Sequence, residues 1–189
     1  MRASNRIITL DEVVEVCRLQ GKVYEASREL SIPTAAHAKS LLVAGTSPVI
    51  LFSREIGFDG VGVNAFVYRD PVYTGGTPET NIRNPNDINP QPVKSSLLVG
   101  ATITDDGDES RMARYLFSST SNQSAGVLVQ TIATPQLVLP GATLMFDIVN
   151  RDTNSAQIAT AAISWAEPDK IPGLVIENGV FVSYNGVAL

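Results

Sequence analysis

From Lys22 onward, apolar residues recur at every second position. Tyr24, Ala26, Leu30 and Ile32 share one parity, broken at Arg28, while Glu25, Ser27, Glu29 and Ser31 take the other. A period of two belongs to a strand with one buried and one wet face. Similar runs occupy 38–44, 49–54, 61–69, 96–104, 112–118, 127–133, 137–139, 142–149 and 157–166, which makes about ten strands. The clearest alternation sets Ala142, Leu144, Phe146 and Ile148 inward against Thr143, Met145, Asp147 and Asn150 on or beyond the outward side. Turn residues separate the runs: Gly57-Phe58-Asp59-Gly60 reads as a hairpin, Asp105-Asp106-Gly107-Asp108 ends another strand, and Pro140-Gly141 turns into the next. Many short strands without helical crossovers predict an all-β fold, an antiparallel β-sandwich of jelly-roll-like form.

Three segments depart from this rhythm. In 1–20, Thr9 stands three residues before Glu12 as a capping box, and Leu10, Val13, Val14 and Cys17 fall on one helical face. The β-branched Val13, Val14 and Val16 lower helix propensity, so the segment is either a short helix closed near Gly21 or an extended arm reaching a neighbouring subunit. Within the sandwich domain, 21–167, the stretch 69–94 holds five of the chain's eleven prolines together with Gly75-Gly76 and repeated Asn. Proline removes ladder donors, so this stretch is no central strand, and its tight turns favour a folded excursion. In 168–189, Asn178-Gly179 between apolar runs marks a C-terminal hairpin. That hairpin either stands outside the sandwich or folds back as an edge of the same sheet.

Composition narrows the chemistry. A net charge of −5 without any Lys/Arg block argues against nucleic acid as a partner. No apolar run approaches the ~20 residues of a membrane-spanning helix, and residues 1–12 lack the apolar stretch of a secretory signal. His37 is the only histidine and Cys17 the only thiol, so no multi-histidine metal centre can be assembled and no cofactor is expected. His37 alone, without a G-x-S-x-G elbow, reads as an ordinary surface or core histidine. Gly60-Val61-Gly62-Val63-Asn64-Ala65 matches a dinucleotide fingerprint in letters, but a strand follows it, and the pyrophosphate cradle needs a helix N-terminus. The carboxylates of Asp105, Asp106, Asp108 and Glu109 read as a solvated turn, Asn122-Gln123-Ser124 as a polar loop, and the strand aromatics as core.

Several features taken in order resemble a known family. Val49-Ile50-Leu51-Phe52-Ser53-Arg54-Glu55 and Val61 to Tyr68 are followed by Pro71-Val72-Tyr73, Gly76-Thr77-Pro78 and Asn81-Ile82-Arg83-Asn84. Ala142 to Asn150 then precedes Ala162-Ile163-Ser164-Trp165-Ala166-Glu167. In order and spacing, from about Gly21 to Glu167, the chain resembles the small virion structural proteins of tailed bacteriophages, which include capsid decoration and cement proteins. The resemblance implies a non-enzymatic protein on the capsid surface of the virion, with the major capsid protein and further copies of itself, as trimer or dimer, for partners. It supplies no catalytic residues. Members of that family commonly finish near the Trp-x-Glu strand, whereas this chain continues through 168–189. The alternative function is a tail or head-fibre component binding a host surface glycan; an enzyme acting on cell-wall polysaccharide through Asp106 and Glu109 is a remote third. Candidate gripping residues are Val13, Val14 and Val16 on the N-terminal segment, Arg83 and Asn84 in the proline-rich stretch, and Val180 and Phe181 in the terminal hairpin. Removing 1–20 is accordingly expected to leave the sandwich folded and to weaken capsid attachment.

Overall fold

The computed structural model describes residues 9–109, 114–117, 125–171, 174–177, 180–184 and 187–188. One helix, α1 (Leu10–Leu19), opens the described chain. The strands of its first half are β1 (Val23–Ile32), β2 (His37–Val43), β3 (Val49–Asp59), β4 (Gly62–Arg69), β5 (Val72–Thr74), β6 (Thr77–Pro78), β7 (Ile82–Arg83), β8 (Ser96–Val99), β9 (Thr102–Asp105) and β10 (Asp108–Glu109). There follow β11 (Arg114–Phe117), β12 (Ala125–Val138), β13 (Thr143–Asn150), β14 (Gln157–Ala166), β15 (Leu174–Glu177), β16 (Val180–Tyr184) and β17 (Val187–Ala188).

The long strands pair in a nested, antiparallel manner: β1 with β14, β2 with β13, β3 with β12, and β4 with β11. One sheet runs β12-β3-β14-β1-β7; the other runs β10-β4-β13-β2-β8-β6, with β11 also beside β4. The fold is therefore an all-β antiparallel sandwich, and successive strands from β1 to β4 alternate between its two sheets. This corrects the expected hairpin at Gly57–Gly60. Residues 57–59 finish β3, and the turn that follows carries the chain across to the other sheet rather than back along the same one. Gly60 sits there at φ +118°, and a Cβ on it would lie 2.9 Å from Gln157 Oε1. Gln157 holds the crossing with its side-chain amide: Oε1 accepts from Gly62 N at 3.1 Å, and Nε2 donates to Gly62 O at 3.1 Å and to Asn150 Oδ1.

Between the sheets, the expected inward residues of β1 meet their partners. Tyr24 and Ala26 pack with Leu42, Leu51, Val67, Phe146 and Trp165, while Leu30 and Ile32 pack with Ile56, Val63 and Ile148. The wet face expected of β13 is not wet: Thr143, Met145 and Asp147 are all buried, as is Asn150 at the strand's end, whose Nδ2 donates to Ile32 O and Ser155 O. Period-two alternation assumes that only one face of a sheet is covered. Here the turn after β9 comes down on the other face, where Asp106 Oδ1 accepts from Lys39 Nζ at 2.6 Å. In that turn Asp105 Oδ1 takes the Gly107 amide at 2.9 Å.

The terminal hairpin is present, with Glu177 opposite Val180 and Ile176 opposite Phe181, and β17 adds to it. These strands form a three-stranded sheet separate from the two of the sandwich.

Candidate interaction surface

Helix α1 forms as its cap dictates. Thr9 Oγ1 accepts from Glu12 N at 3.3 Å, and Glu12 Oε2 accepts from Thr9 N at 3.1 Å. Asp11 and Glu12 lie in the first turn and Arg18 in the last, the arrangement that suits the helix dipole. The segment is thus a helix docked on its own chain. Val13, Val14 and Cys17 are buried against Val23, Ile50, Ala166 and Ile171. Val23, Ala166 and Ile50 are cross-strand neighbours on the outer side of the first sheet, opposite in parity to the core residues Tyr24, Trp165 and Leu51. Burial pushes the Cys17 thiol up to about 11, where it stays protonated and unreactive.

Val13 and Val14 are therefore corrected as gripping residues, because the chain's own core consumes them. On the opposite side of the same helix, Val16 is 51% exposed and Leu19 75% exposed. The chain turns after the helix at Gly21, φ +72°, where a Cβ would stand only 1.8 Å from Asn89 O; no side chain fits. That close approach brings the proline-rich stretch against the helix end.

The stretch is folded by its asparagines. Asn84 Nδ2 donates to Gly21 O at 2.7 Å and to Gln91 O at 3.2 Å, and Asn86 Nδ2 donates to Arg18 O at 3.0 Å. Asn86 Oδ1 accepts the amides of Ile88 and Asn89 at 3.0 and 2.8 Å. The amide of Asn84, expected to meet a partner, is thus engaged inside the molecule. What the tight turn presents instead is Ile88, 96% exposed, on a segment bonded to the carbonyl end of α1. Val16, Leu19 and Ile88 are thereby carried on two mutually bonded elements. Leu19 and Ile88 were not singled out from sequence, although Ile88 is a lone aliphatic among Asn, Asp and Pro.

The mount beneath this surface is a buried polar cluster. Glu167, almost wholly buried, accepts from Lys94 N at 2.7 Å, from Ser95 N at 3.1 Å and from Trp165 Nε1 at 3.0 Å, as well as from Ser95 Oγ. Tyr24 Oη donates to Gln91 O and Pro92 O; burial, reinforced by the Glu167 charge, pushes its hydroxyl up to about 12. Asp169 accepts from Lys22 Nζ at 2.6 Å and Lys94 Nζ at 2.9 Å, which holds its exposed carboxyl down at about 2. Ile171 then packs into the cluster under α1, so the chain sets out towards β15 from this same end.

Arg83 lies elsewhere. It pairs with Glu25 across β7 and β1 and borders an open polar groove with Ser27, Ser53, Asn81 and Ser164 on the outer side of the first sheet. Val180 and Phe181 are on β16, paired as above; their side chains lie outside the described residues, as does Asn122-Gln123-Ser124.

One acid–base contact was not anticipated. His37 Nδ1 and Asp147 Oδ2 are 2.8 Å apart, with Asp147 only 1% exposed and its Oδ1 without a hydrogen-bond partner among the described residues. Burial pushes the Asp147 carboxyl above its ordinary range, and the His37 hydrogen bond works against that rise. A raised carboxyl favours the folded state below the ordinary carboxyl range and loses that contribution as pH climbs through its raised value. At neutral pH the buried charge is a cost. Asp147→Asn should therefore melt above wild type at pH 7, with the difference shrinking towards pH 4; equal shifts at both values would contradict this account.

Among the described residues no helix is long and apolar enough to cross a membrane. Compared with family models, curated proteins and solved structures, the chain matches none.

Proposed function

We propose that this chain is a non-enzymatic structural protein of a tailed-bacteriophage virion, which decorates or cements the capsid through contacts with the major capsid protein and with copies of itself. The nested pairing β1–β14, β2–β13, β3–β12, β4–β11 is read as a jelly roll, an architecture common to viral shells and to lectins, so fold alone does not choose the role. The observation that carries the reading is the exposure of Val16, Leu19 and Ile88 on a hydrogen-bonded mount.

Covering those three side chains is worth about 5 kcal/mol of apolar transfer, comparable to the orientational cost of a single association. One such contact is weak. Repeated over the identical sites of a shell, or within a symmetric dimer or trimer, it becomes firm.

The test is native mass determination together with the chain's position in intact particles by electron microscopy. Occupancy spread over icosahedral positions is the expected result; a single ring or spike at one vertex would replace this reading with the tail or head-fibre one. The double variant Leu19→Asp/Ile88→Asp should keep its melting point within what ~0.5 kcal/mol allows, since both residues are exposed, yet lose particle binding by tenfold or more. Unchanged binding would remove this surface from the proposal.

A further inference from the structure

Helix α1 covers only one end of the first sheet's outer face. It lies over Val23, Ala166 and Ile50, which stand side by side on β1, β14 and β3. The next outward row across the same three strands is Glu25, Ser164 and Ser53, and the one after it is Ser27, Ala162 and Glu55. On the middle strand these residues are small, so the longer side chains of β1 and β3 stand up as walls. The result is an open groove of about 210 Å³, bordered beyond β1 by Asn81 and Arg83. Its glutamates, Asn81 and Arg83 are exposed, while Ser53, Ala162 and Ser164 form a half-buried floor.

The polar groups of this groove are not spent on one another. Among the described residues, the side chains of Glu25, Ser27, Ser53, Glu55, Arg83 and Ser164 have no hydrogen-bond or ion-pair partner, although Arg83 stands opposite Glu25 in register. Asn81 is engaged only through its backbone amide, which donates to Glu79. Because β14 has a strand on each side, the backbone of the floor is committed to its ladders, and a ligand meets side chains alone. Those side chains are of three kinds. Glu25 and Glu55 only accept, Arg83 only donates, and the serine hydroxyls and the Asn81 amide group do both. An ammonium group brings donors alone and leaves Arg83 unmatched, while a phosphate or carboxylate brings acceptors alone and meets two glutamates. A polyol suits every wall, since each of its hydroxyls both donates and accepts. A rigid ring of hydroxyls also loses less freedom on binding than a flexible chain does. The groove is smaller than the ~300 Å³ at which pockets for drug-sized ligands begin, a size that suits a single ring.

We propose that this groove is a binding site for one neutral sugar residue, with the ring over Ala162 and its hydroxyls donating to Glu25 and Glu55 and accepting from Arg83 and Asn81. No aromatic ring lines the groove, so affinity rests on hydrogen bonds and is millimolar for a single copy. The site is distinct from the Val16–Leu19–Ile88 patch, and the inference does not rest on the capsid reading.

The probes are the methyl glycosides of glucose, galactose, mannose and N-acetylglucosamine, titrated into the full chain and followed by amide chemical shifts. At least one should bind in the millimolar range and move the amides of 25–27, 53–55, 81–83 and 162–164 together. Arg83→Ala and Glu55→Gln should each weaken that binding about tenfold, as befits loss of a charge-assisted hydrogen bond. Both residues are exposed, so the melting points should stay at the wild-type value, which separates lost binding from lost folding. Ala162→Phe, which fills the floor, should abolish binding. No shift from any of the four glycosides at tens of millimolar, shifts centred elsewhere, or undiminished binding by either Arg83→Ala or Glu55→Gln would overturn the proposal. So would putrescine moving the same amides when no glycoside does, which would give the groove to a cation.

Discussion

A chain starting at Gly21 should lose most of its folding stability, contrary to the expectation that the sandwich stands without its N-terminal segment. Removing α1 strips Val13, Val14 and Cys17 from the core and uncovers Val23, Ile50, Ala166 and Ile171. At about 2 kcal/mol for each of these three buried side chains the loss is about 6 kcal/mol, an upper figure because unfolded chains already bury some surface. Domains are stable by only about 5–15 kcal/mol, so the truncated chain sits near its unfolding threshold at room temperature. A sharper comparison uses two positions on one helix. Val14→Asp places a charge in the buried cluster and should cost several kcal/mol, about 4 by the behaviour of uncompensated buried charges. Val16→Asp, on the exposed side, should cost less than about 0.5 kcal/mol. Urea midpoints followed by circular dichroism decide it, and matching midpoints for the two variants would refute the docked helix. Loss of particle binding on truncation would then report unfolding, so attachment is better tested with Leu19 and Ile88.

Glu167→Ala should be nearly as damaging. The carboxylate gathers the amides of Lys94 and Ser95, the Ser95 hydroxyl and the Trp165 indole, all away from water. Deleting it strands the two amides and the Ser95 hydroxyl and leaves the indole only Ser95 Oγ as acceptor; losses of about 3–5 kcal/mol follow when one member of a buried charged network is removed. Glu167→Gln should fall between, since its amide group turns donors towards donors at one of the two oxygen positions. Trp165 reports the change directly: its near-ultraviolet circular dichroism and emission should shift in both variants before global melting. An unaltered indole signal in Glu167→Ala would show that the cluster does not hold the strand.

The polar groove bordered by Arg83 and the His37–Asp147 contact show how far residue patterns carry. His37 and Asp147 are separated by 110 positions and meet only because β2 and β13 are hydrogen-bonded neighbours. Nothing local to either residue announces the other. The parity of Asp147 opposes that of Phe146 and so points it to water, but parity distinguishes two faces without saying what covers the second. The turn at Gly57–Gly60 misled for a related reason. Glycine and aspartate satisfy a reversal within one sheet and a crossing between two sheets with the same backbone preferences.

What the amino-acid order determined by itself is local: the Thr9–Glu12 capping box and the alignment of Val13, Val14 and Cys17 on one helical face, the inward parity of Tyr24, Ala26, Leu30 and Ile32, and the exclusion of the proline-rich stretch from any central strand. Each follows from backbone torsions and side-chain period, which neighbouring residues fix. Only the tertiary structure decided that α1 docks on the outside of a sheet, that Asn84 and Asn86 are consumed in binding Gly21 and Arg18, and that Leu19 and Ile88 are left exposed beside one another's elements. Those outcomes depend on which distant surfaces meet, because burial and hydrogen bonding are satisfied by partners in space rather than along the chain.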